Sequence, residues 1–164
     1  MQKESPRILA VNPGSRYIGF AAFRGPDLLD WGVRVNTGKT PRGVARVGVG
    51  IVKETVERFQ PNTLALKCIH PSRSSPALDR LTDSIRELSH RRKLKLYQYS
   101  IKELKKALCS GAKGGTRTLA AQVAATYPVL IRDFDKEMAN RHPYYLRMFE
   151  AVALGIVCYR QSGA

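Results

Sequence analysis

Polar residues interrupt three apolar segments of this sequence, and their side chains are the first candidates for chemistry. Asn12 ends an apolar run and precedes a Pro-Gly-Ser turn, Lys67 interrupts a second run near its end, and Glu150 lies beside an apolar stripe near the C-terminus. A buried ammonium group is costly unless it meets an anion or reaches water. Lys67 is therefore expected either to extend to solvent or to contact an anionic partner.

The segments around Asn12 have the composition of β-strands. Residues 7–12 and 17–23 are apolar runs rich in Ile, Val, Phe and Tyr, and turn residues join them, which predicts an antiparallel hairpin. Residues 27–35 follow the turn Gly25-Pro26 and predict a third strand. Asn12 is therefore placed at the end of a central strand.

Lys67 is expected to lie near Asn12. Thr40 precedes Pro41 and a helical pattern of apolar residues that ends at Gln60-Pro61, and residues 63–69 then have the character of an inner strand. A helix that returns to a neighbouring parallel strand does so by a right-handed crossover. The two strand ends then meet at one edge of the sheet.

The remaining segments predict mainly helices. Ser75-Pro76 caps a second helix, residues 95–99 form a fifth strand, and Ser100 with Glu103 forms a capping box. An Ala-rich helix stops at Tyr127-Pro128, residues 129–142 are expected to form an exposed connection, and a last helix runs from Pro143. No repeat or linker divides the chain, so residues 1–164 are expected to form a single α/β domain.

The charge balance indicates a polyanionic partner. The chain has 28 Lys and Arg against 13 Asp and Glu, a net charge of +15. Nucleic acid is the favoured partner, since a basic surface releases counterions from phosphates. The chain has no basic amphipathic helix apart from the core and no membrane-length apolar run, so no membrane partner is expected. The alternative to a polyanionic partner is that the positive charge only keeps the protein soluble.

The three cysteines are odd in number and widely spaced, which predicts buried free thiols and a cytoplasmic location.

Four stretches of the sequence, in their order, resemble the RuvC Holliday-junction resolvase family. They are residues 8–19 with the turn N-P-G-S-R, residues 64–73, residues 100–123 with a basic glycine-rich loop, and the segment F-E-A-V-A-L at 149–154. The resemblance implies a ribonuclease H-like fold, a five-stranded mixed sheet in which a three-strand antiparallel meander joins two parallel strands, flanked by helices. It also implies a homodimer that cuts four-way DNA junctions, with a group of four acids that binds divalent metal.

This sequence departs from the family at the acids that bind the metal. The resemblance places the four acids at Asn12, Lys67, Arg147 and Glu150, and Glu150 alone is an acid. The Asn12 carbonyl is a weak ligand for Mg²⁺, and the Lys67 ammonium would repel the ion, by about 4 kcal/mol per unit charge at 4 Å and an effective dielectric of 20. The interpretation is a degenerate site without catalytic residues or cofactor, in which Lys67 replaces the metal and pairs with Glu150.

Basic residues around that site predict nucleic-acid binding, and the favoured partner is branched DNA or structured RNA. The candidates are Arg16, Arg73, Lys105, Lys106, Lys113 and Arg117. The glycine-rich loop that contains Lys113 lacks the P-loop pattern.

Three alternatives stay open at this point. In the first, the chain is an active Mg²⁺-dependent nuclease that recruits other acids, such as Asp30, Asp79, Asp133 or Asp135. In the second, Asn12 or Lys67 is an engineered substitution. In the third, the basic face serves an acidic protein partner in an interaction subunit.

Overall fold

A computed structural model describes residues 4–109, 115–140 and 143–162. Five strands form one mixed sheet in the order β3-β2-β1-β4-β5. Strands β1, β2 and β3 pair antiparallel, and β4 pairs parallel with both β1 and β5. The strands are β1 (Arg7–Asn12), β2 (Tyr17–Arg24), β3 (Asp27–Val35), β4 (Thr63–Lys67) and β5 (Lys95–Tyr99). The predicted five-stranded mixed sheet is confirmed.

Helices cover the sheet, and three of them begin at the predicted caps. Thr40 accepts a hydrogen bond from the Gly43 amide at 3.0 Å, Ser75 accepts from Leu78, and Ser100 and Glu103 form a reciprocal capping box. The helices are α1 (Pro41–Phe59), α2 (Pro76–Arg91), α3 (Ile101–Leu108), α4 (Thr116–Thr126), α5 (Ile131–Asn140) and α6 (Pro143–Gln161), with 3-10 turns at Pro71–Arg73 and Pro128–Leu130. No helix in these described segments combines the length and apolarity needed to cross a bilayer.

Alternation along the strands divides the core into two layers. Leu9 and Val11 of β1 face α1 and α2, whereas Ile8 and Ala10 face α6 and its neighbours. The same alternation along β4 sends Leu66 to the first layer and Ala65 to the second. The same alternation, continued to the last residue of each strand, places Asn12 and Lys67 on the face that α6 covers.

Residues 129–142 differ from their predicted state. The predicted exposed connection is wrong because residues 131–140 form helix α5. Phe134 packs edge-on against Phe149 of α6, with the ring centroids 6.1 Å apart, and Glu137 is buried on the same face of α5. A buried glutamate within the apolar face hides the helical period in the sequence. Residues 141 and 142 lie outside the described residues.

Helix α6 lies unusually close to β2. A Cβ atom at Gly19 would overlap the carbonyl of Arg147, and one at Gly155 would overlap the ring of Phe23. Both positions therefore need glycine for close approach rather than for backbone freedom. This approach fixes the distance between α6 and the end of β1.

Alanine should have opposite effects at two helical glycines. Gly155→Ala should lower the free energy of unfolding by about 1–3 kcal/mol, because the buried Phe23 ring cannot move away easily. The matched change Gly50→Ala in α1 should raise it by about 0.5–1 kcal/mol, since no atom lies within 4 Å of the new methyl group. Urea unfolding measures both. Equal effects at the two sites would contradict the close packing.

The predicted burial of the three cysteines is confirmed for two of them. Cys109 and Cys158 are buried, but Cys68 is only half-buried because it follows the end of β4. Burial raises the pKa of the Cys68 thiol and, more strongly, that of Cys158 to about 11. Burial likewise raises the pKa of Tyr99, which hydrogen-bonds to Cys158, to about 12. These groups stay neutral in the folded protein at pH 7.

The raised pKa of Cys158 predicts a loss of stability in alkali. An unfolded thiol loses its proton near pH 9.0 and the folded one near pH 11, so between these values the folded state binds more protons. The contribution is complete below pH 9 and is lost progressively as the pH rises to 11. Cys158→Ala should therefore show a shallower decline in unfolding free energy between pH 9 and pH 11. An unchanged slope in urea titrations would refute this.

Candidate functional site

Three elements bring the candidate site together. Val11 of β1 lies opposite Leu66 of β4 in the parallel register, so the next residues, Asn12 and Lys67, are neighbours at the end of the sheet. Helix α6 crosses this edge and places Glu150 over both. As the sequence predicts, β4 lies beside β1 in the sheet and parallel to it.

Glu150 accepts two hydrogen bonds on one carboxylate oxygen. Lys67 Nζ lies 2.7 Å from Glu150 Oε2, and Asn12 Nδ2 donates to the same oxygen at 2.8 Å. Asn12 Nδ2 also donates to the main-chain oxygen of Arg147 at 3.1 Å. Because both partners of the Asn12 amide are acceptors, its NH₂ group must face them. We call Asn12, Lys67 and Glu150 the carboxylate cluster.

The carboxylate cluster is largely shielded from water. Asn12 is 1% exposed, and the side chains of Lys67 and Glu150 are 17% and 10% exposed. Among the salt bridges of the described residues, the other pairs lie further out; Arg92 and Glu57, for example, meet at 3.0 Å with side chains 38% and 53% exposed. An ion pair with little solvent around it is screened less by salt than a surface pair.

The carboxylate cluster forms one wall of a cavity of about 600 Å³. Glu150 is the only acid among the described residues that line this cavity, and four basic side chains line it as well. The lining residues of most chemical interest are the cations Lys67, Arg73, Lys105 and Arg147, the hydroxyls of Ser15, Ser72, Ser75 and Thr116, and the apolar Pro13, Ile69, Leu78 and Ile101. The cavity therefore favours an anion.

The structure separates the basic residues expected to bind nucleic acid into two groups. Arg73 and Lys105 line the cavity, whereas Arg16, Lys106 and Arg117 are exposed outside its lining. The guanidinium of Arg16 lies over the ring of Tyr17, 5.4 Å from its centroid. Lys113 lies outside the described residues.

Arg147 is a basic residue of the cavity lining that was not among the residues predicted to bind phosphate. It was identified as a replaced acid, yet its side chain joins Arg73 and Lys105 in the cavity lining. The spacing in the sequence could have indicated this position, because Arg147 lies three residues before Glu150 on α6 and residues three apart on a helix share a face.

The four other acids considered as metal ligands do not line the cavity. Asp30 lies 3.8 Å from Arg58, Asp79 accepts a hydrogen bond from Ser74, and Asp133 accepts one from Trp31 Nε1 at 3.4 Å. Asp135 is exposed on α5. In the described parts of the chain, no three His, Cys, Asp or Glu residues are grouped so that they could hold a metal ion.

Removing one partner of the ion pair should cost more than removing both. Glu150→Gln leaves the Lys67 ammonium shielded without an anion, and should lower the unfolding free energy by about 1–3 kcal/mol. Adding Lys67→Met should recover part of this loss because the uncompensated charge is gone. A double-mutant cycle by urea unfolding measures the coupling.

The surface pair Arg92 and Glu57 is the matched control for this cycle. Its coupling should be about 0.2–1 kcal/mol and should fall as salt is added, since both side chains are partly exposed. A coupling between Lys67 and Glu150 no larger than this control would contradict a shielded ion pair.

Comparisons with known proteins give structural relatives only. The sequence matches no protein-family model and no curated protein sequence. The structure is similar to Thermus thermophilus RuvC, with a TM-score of 0.70, 14% identity and coverage of 95% of this chain and 96% of that chain. It is also similar to T. thermophilus RuvC in complex with Holliday junction substrate, with a TM-score of 0.70, 16% identity and coverage of 96% of each chain.

A third similar structure is the yeast mitochondrial Holliday junction resolvase Ydc2, with a TM-score of 0.68 and 12% identity over 98% of this chain and 80% of that chain. These three alignments span nearly the whole described sheet and its helices, at identities that establish the fold alone. The chain therefore has the RuvC-like form of the ribonuclease H-like fold, as the resemblance in its sequence implied.

Proposed function

We propose that this protein binds branched DNA or structured RNA on a RuvC-like scaffold and does not itself cut the strand by a divalent-metal mechanism. The observation that carries the proposal is the contact of Lys67 Nζ with Glu150 Oε2 at 2.7 Å, with Asn12 bound to the same oxygen. An ammonium and an amide NH₂ thus share Oε2 of Glu150, the one acid among the described residues of the cavity lining.

The donor set does not fit Mg²⁺. This ion takes octahedral oxygen ligands, with carboxylates foremost, and two-metal nuclease sites need several of them. Glu150 is the only acid among the described residues of the cavity, and its Oε2 already accepts from two donors. Lys67 contributes a positive charge where the ion would need a negative one.

The basic character of the cavity supports nucleic-acid binding. Arg73, Lys105 and Arg147 line it, and none of them is in a salt bridge with a described residue. Their charges remain available for phosphates, and the net charge of +15 attracts a polyanion over a longer range. The junction complex of T. thermophilus RuvC, which has the same fold, makes a four-way junction the first ligand to test. A homodimer remains a prediction for sedimentation to test.

Binding to a four-way junction with hydroxyl ends should be tight, selective over linear duplex of the same sequence, and steeply weakened by salt. Fluorescence anisotropy in EDTA measures it over a salt series. Arg73→Gln should lower the slope of log affinity against log salt by about 1, because one phosphate contact is lost. Arg80→Gln is the matched control, since Arg80 is exposed on α2 outside the cavity lining. A flat salt dependence would exclude a phosphate-binding groove.

Restoring acids should restore metal binding. Asn12→Asp combined with Lys67→Glu places two more carboxylates beside Glu150, so Mg²⁺ should raise the melting temperature of this variant and leave that of the unchanged protein where it was. The unchanged protein should not cleave a junction in Mg²⁺. Metal-dependent cleavage by the unchanged protein would refute the non-catalytic proposal.

A further inference from the structure

We infer that the cavity beside the carboxylate cluster receives the terminal phosphorylated nucleotide of a nucleic-acid strand without a metal ion. The inference rests on the proposed function and names the part of the nucleic acid that enters this site. The cavity volume of about 600 Å³ lies within the range of small-molecule pockets, about 300–1,000 Å³. Such a space admits a single nucleotide but not a double helix.

The charges of the lining match a phosphate monoester. Glu150 neutralises Lys67, which leaves Arg73, Lys105 and Arg147 without a carboxylate partner among the described residues. These three side chains come from the 3-10 turn after β4, from α3 and from α6, so they approach the cavity from different elements. A terminal phosphate carries a charge of about −1.5 to −2 at pH 7, whereas an internal phosphodiester carries a single negative charge. A terminal phosphate therefore neutralises more of the excess positive charge of the lining than an internal phosphodiester does.

The N-terminal ends of three helices lie at the cavity lining. Ser75 is the N-cap of α2, Ile101 is the first residue of α3, and Thr116 is the first residue of α4, and all three line the cavity. The N-terminal end of a helix carries a partial positive charge of about 0.5. Asp79 and Glu103 in the first turns of α2 and α3 offset the charge of those two ends, whereas the first turn of α4 contains no acid. The dipole of α4 and the side-chain cations together supply charge compensation of the kind that a metal ion gives in other phosphate sites.

The apolar side of the cavity suits the sugar and base of the same nucleotide. Pro13, Ile69, Leu78 and Ile101 line it together with the cations. A nucleotide inside a duplex keeps its base stacked and paired, so it cannot bring the phosphate and the base into one cavity. An unpaired strand end can present both. The ligand that fits this cavity is a nucleoside phosphate monoester, which belongs either to a strand end or to a free nucleotide.

The test compares short single-stranded oligonucleotides that differ only in a terminal phosphate. Anisotropy in EDTA should give about tenfold tighter binding for an oligonucleotide with a 5′- or 3′-phosphate than for one with hydroxyl ends, since charge-assisted contacts to one phosphate supply at least that factor. Competition with adenosine monophosphate distinguishes the two sources. Competition near the affinity of the oligonucleotide supports a free nucleotide in the site, and weak competition supports a strand end.

Two variants of α3 isolate the cavity from general charge effects. Lys105→Gln should remove most of the preference for the terminal phosphate, because Lys105 lines the cavity. Lys102→Gln removes the same charge from an exposed position of the same helix outside the lining, and should keep the preference. Thermal unfolding confirms that both variants are folded.

Equal affinity for phosphate and hydroxyl ends, or equal loss of the preference in both variants, overturns the inference. Tight binding of the hydroxyl-ended junction would then leave the proposed function standing. Conversely, a preference for terminal phosphates without junction binding would retain the cavity assignment and refute the junction-binding function.

Discussion

The close approach of α6 to the sheet is the constraint on which the site depends. Gly19 lies opposite Asn12 in the β1-β2 register, and a side chain at Gly19 would occupy the space of the Arg147 carbonyl. That carbonyl accepts a hydrogen bond from Asn12, so the missing side chain on one strand allows the polar contact on the next. The same approach brings Glu150 within 2.8 Å of the Asn12 amide. Packing of small residues thus sets the geometry of the polar groups.

The charges of the carboxylate cluster balance without an added cation, because Lys67 neutralises Glu150. Burial of a carboxylate is tolerated when charge and hydrogen bonds compensate it, and Lys67 and Asn12 provide one of each. Strand alternation turns Lys67 toward α6, although the three residues before it on β4 are apolar and buried. The ammonium therefore pairs across the layer. Its alternative, extension to bulk water, would leave Glu150 with the Asn12 amide as its one described donor.

Around this neutralised pair, the cavity concentrates positive charge. The 3-10 turn, α3 and α6 each contribute one cation that has no acidic neighbour within salt-bridge distance among the described residues. Acids of the chain are used elsewhere, as in the pairs of Glu57 with Arg92 and Asp30 with Arg58. The sheet edge thus carries a surface whose charge suits phosphates, with compensation supplied by these side chains and by the N-terminal end of α4.

The sequence by itself determined the strand pattern, the helix caps and the closeness of Asn12 and Lys67, because local signals and the handedness of the crossover suffice for these. It did not determine α5, where the buried Glu137 interrupts the apolar period. It also did not place Arg147 in the cavity or reveal which basic residues line it, since side chains from α3, α6 and the loop after β4 meet only when the helices pack on the sheet. Long-range packing decided these contacts, because no local pattern encodes the distance between two elements.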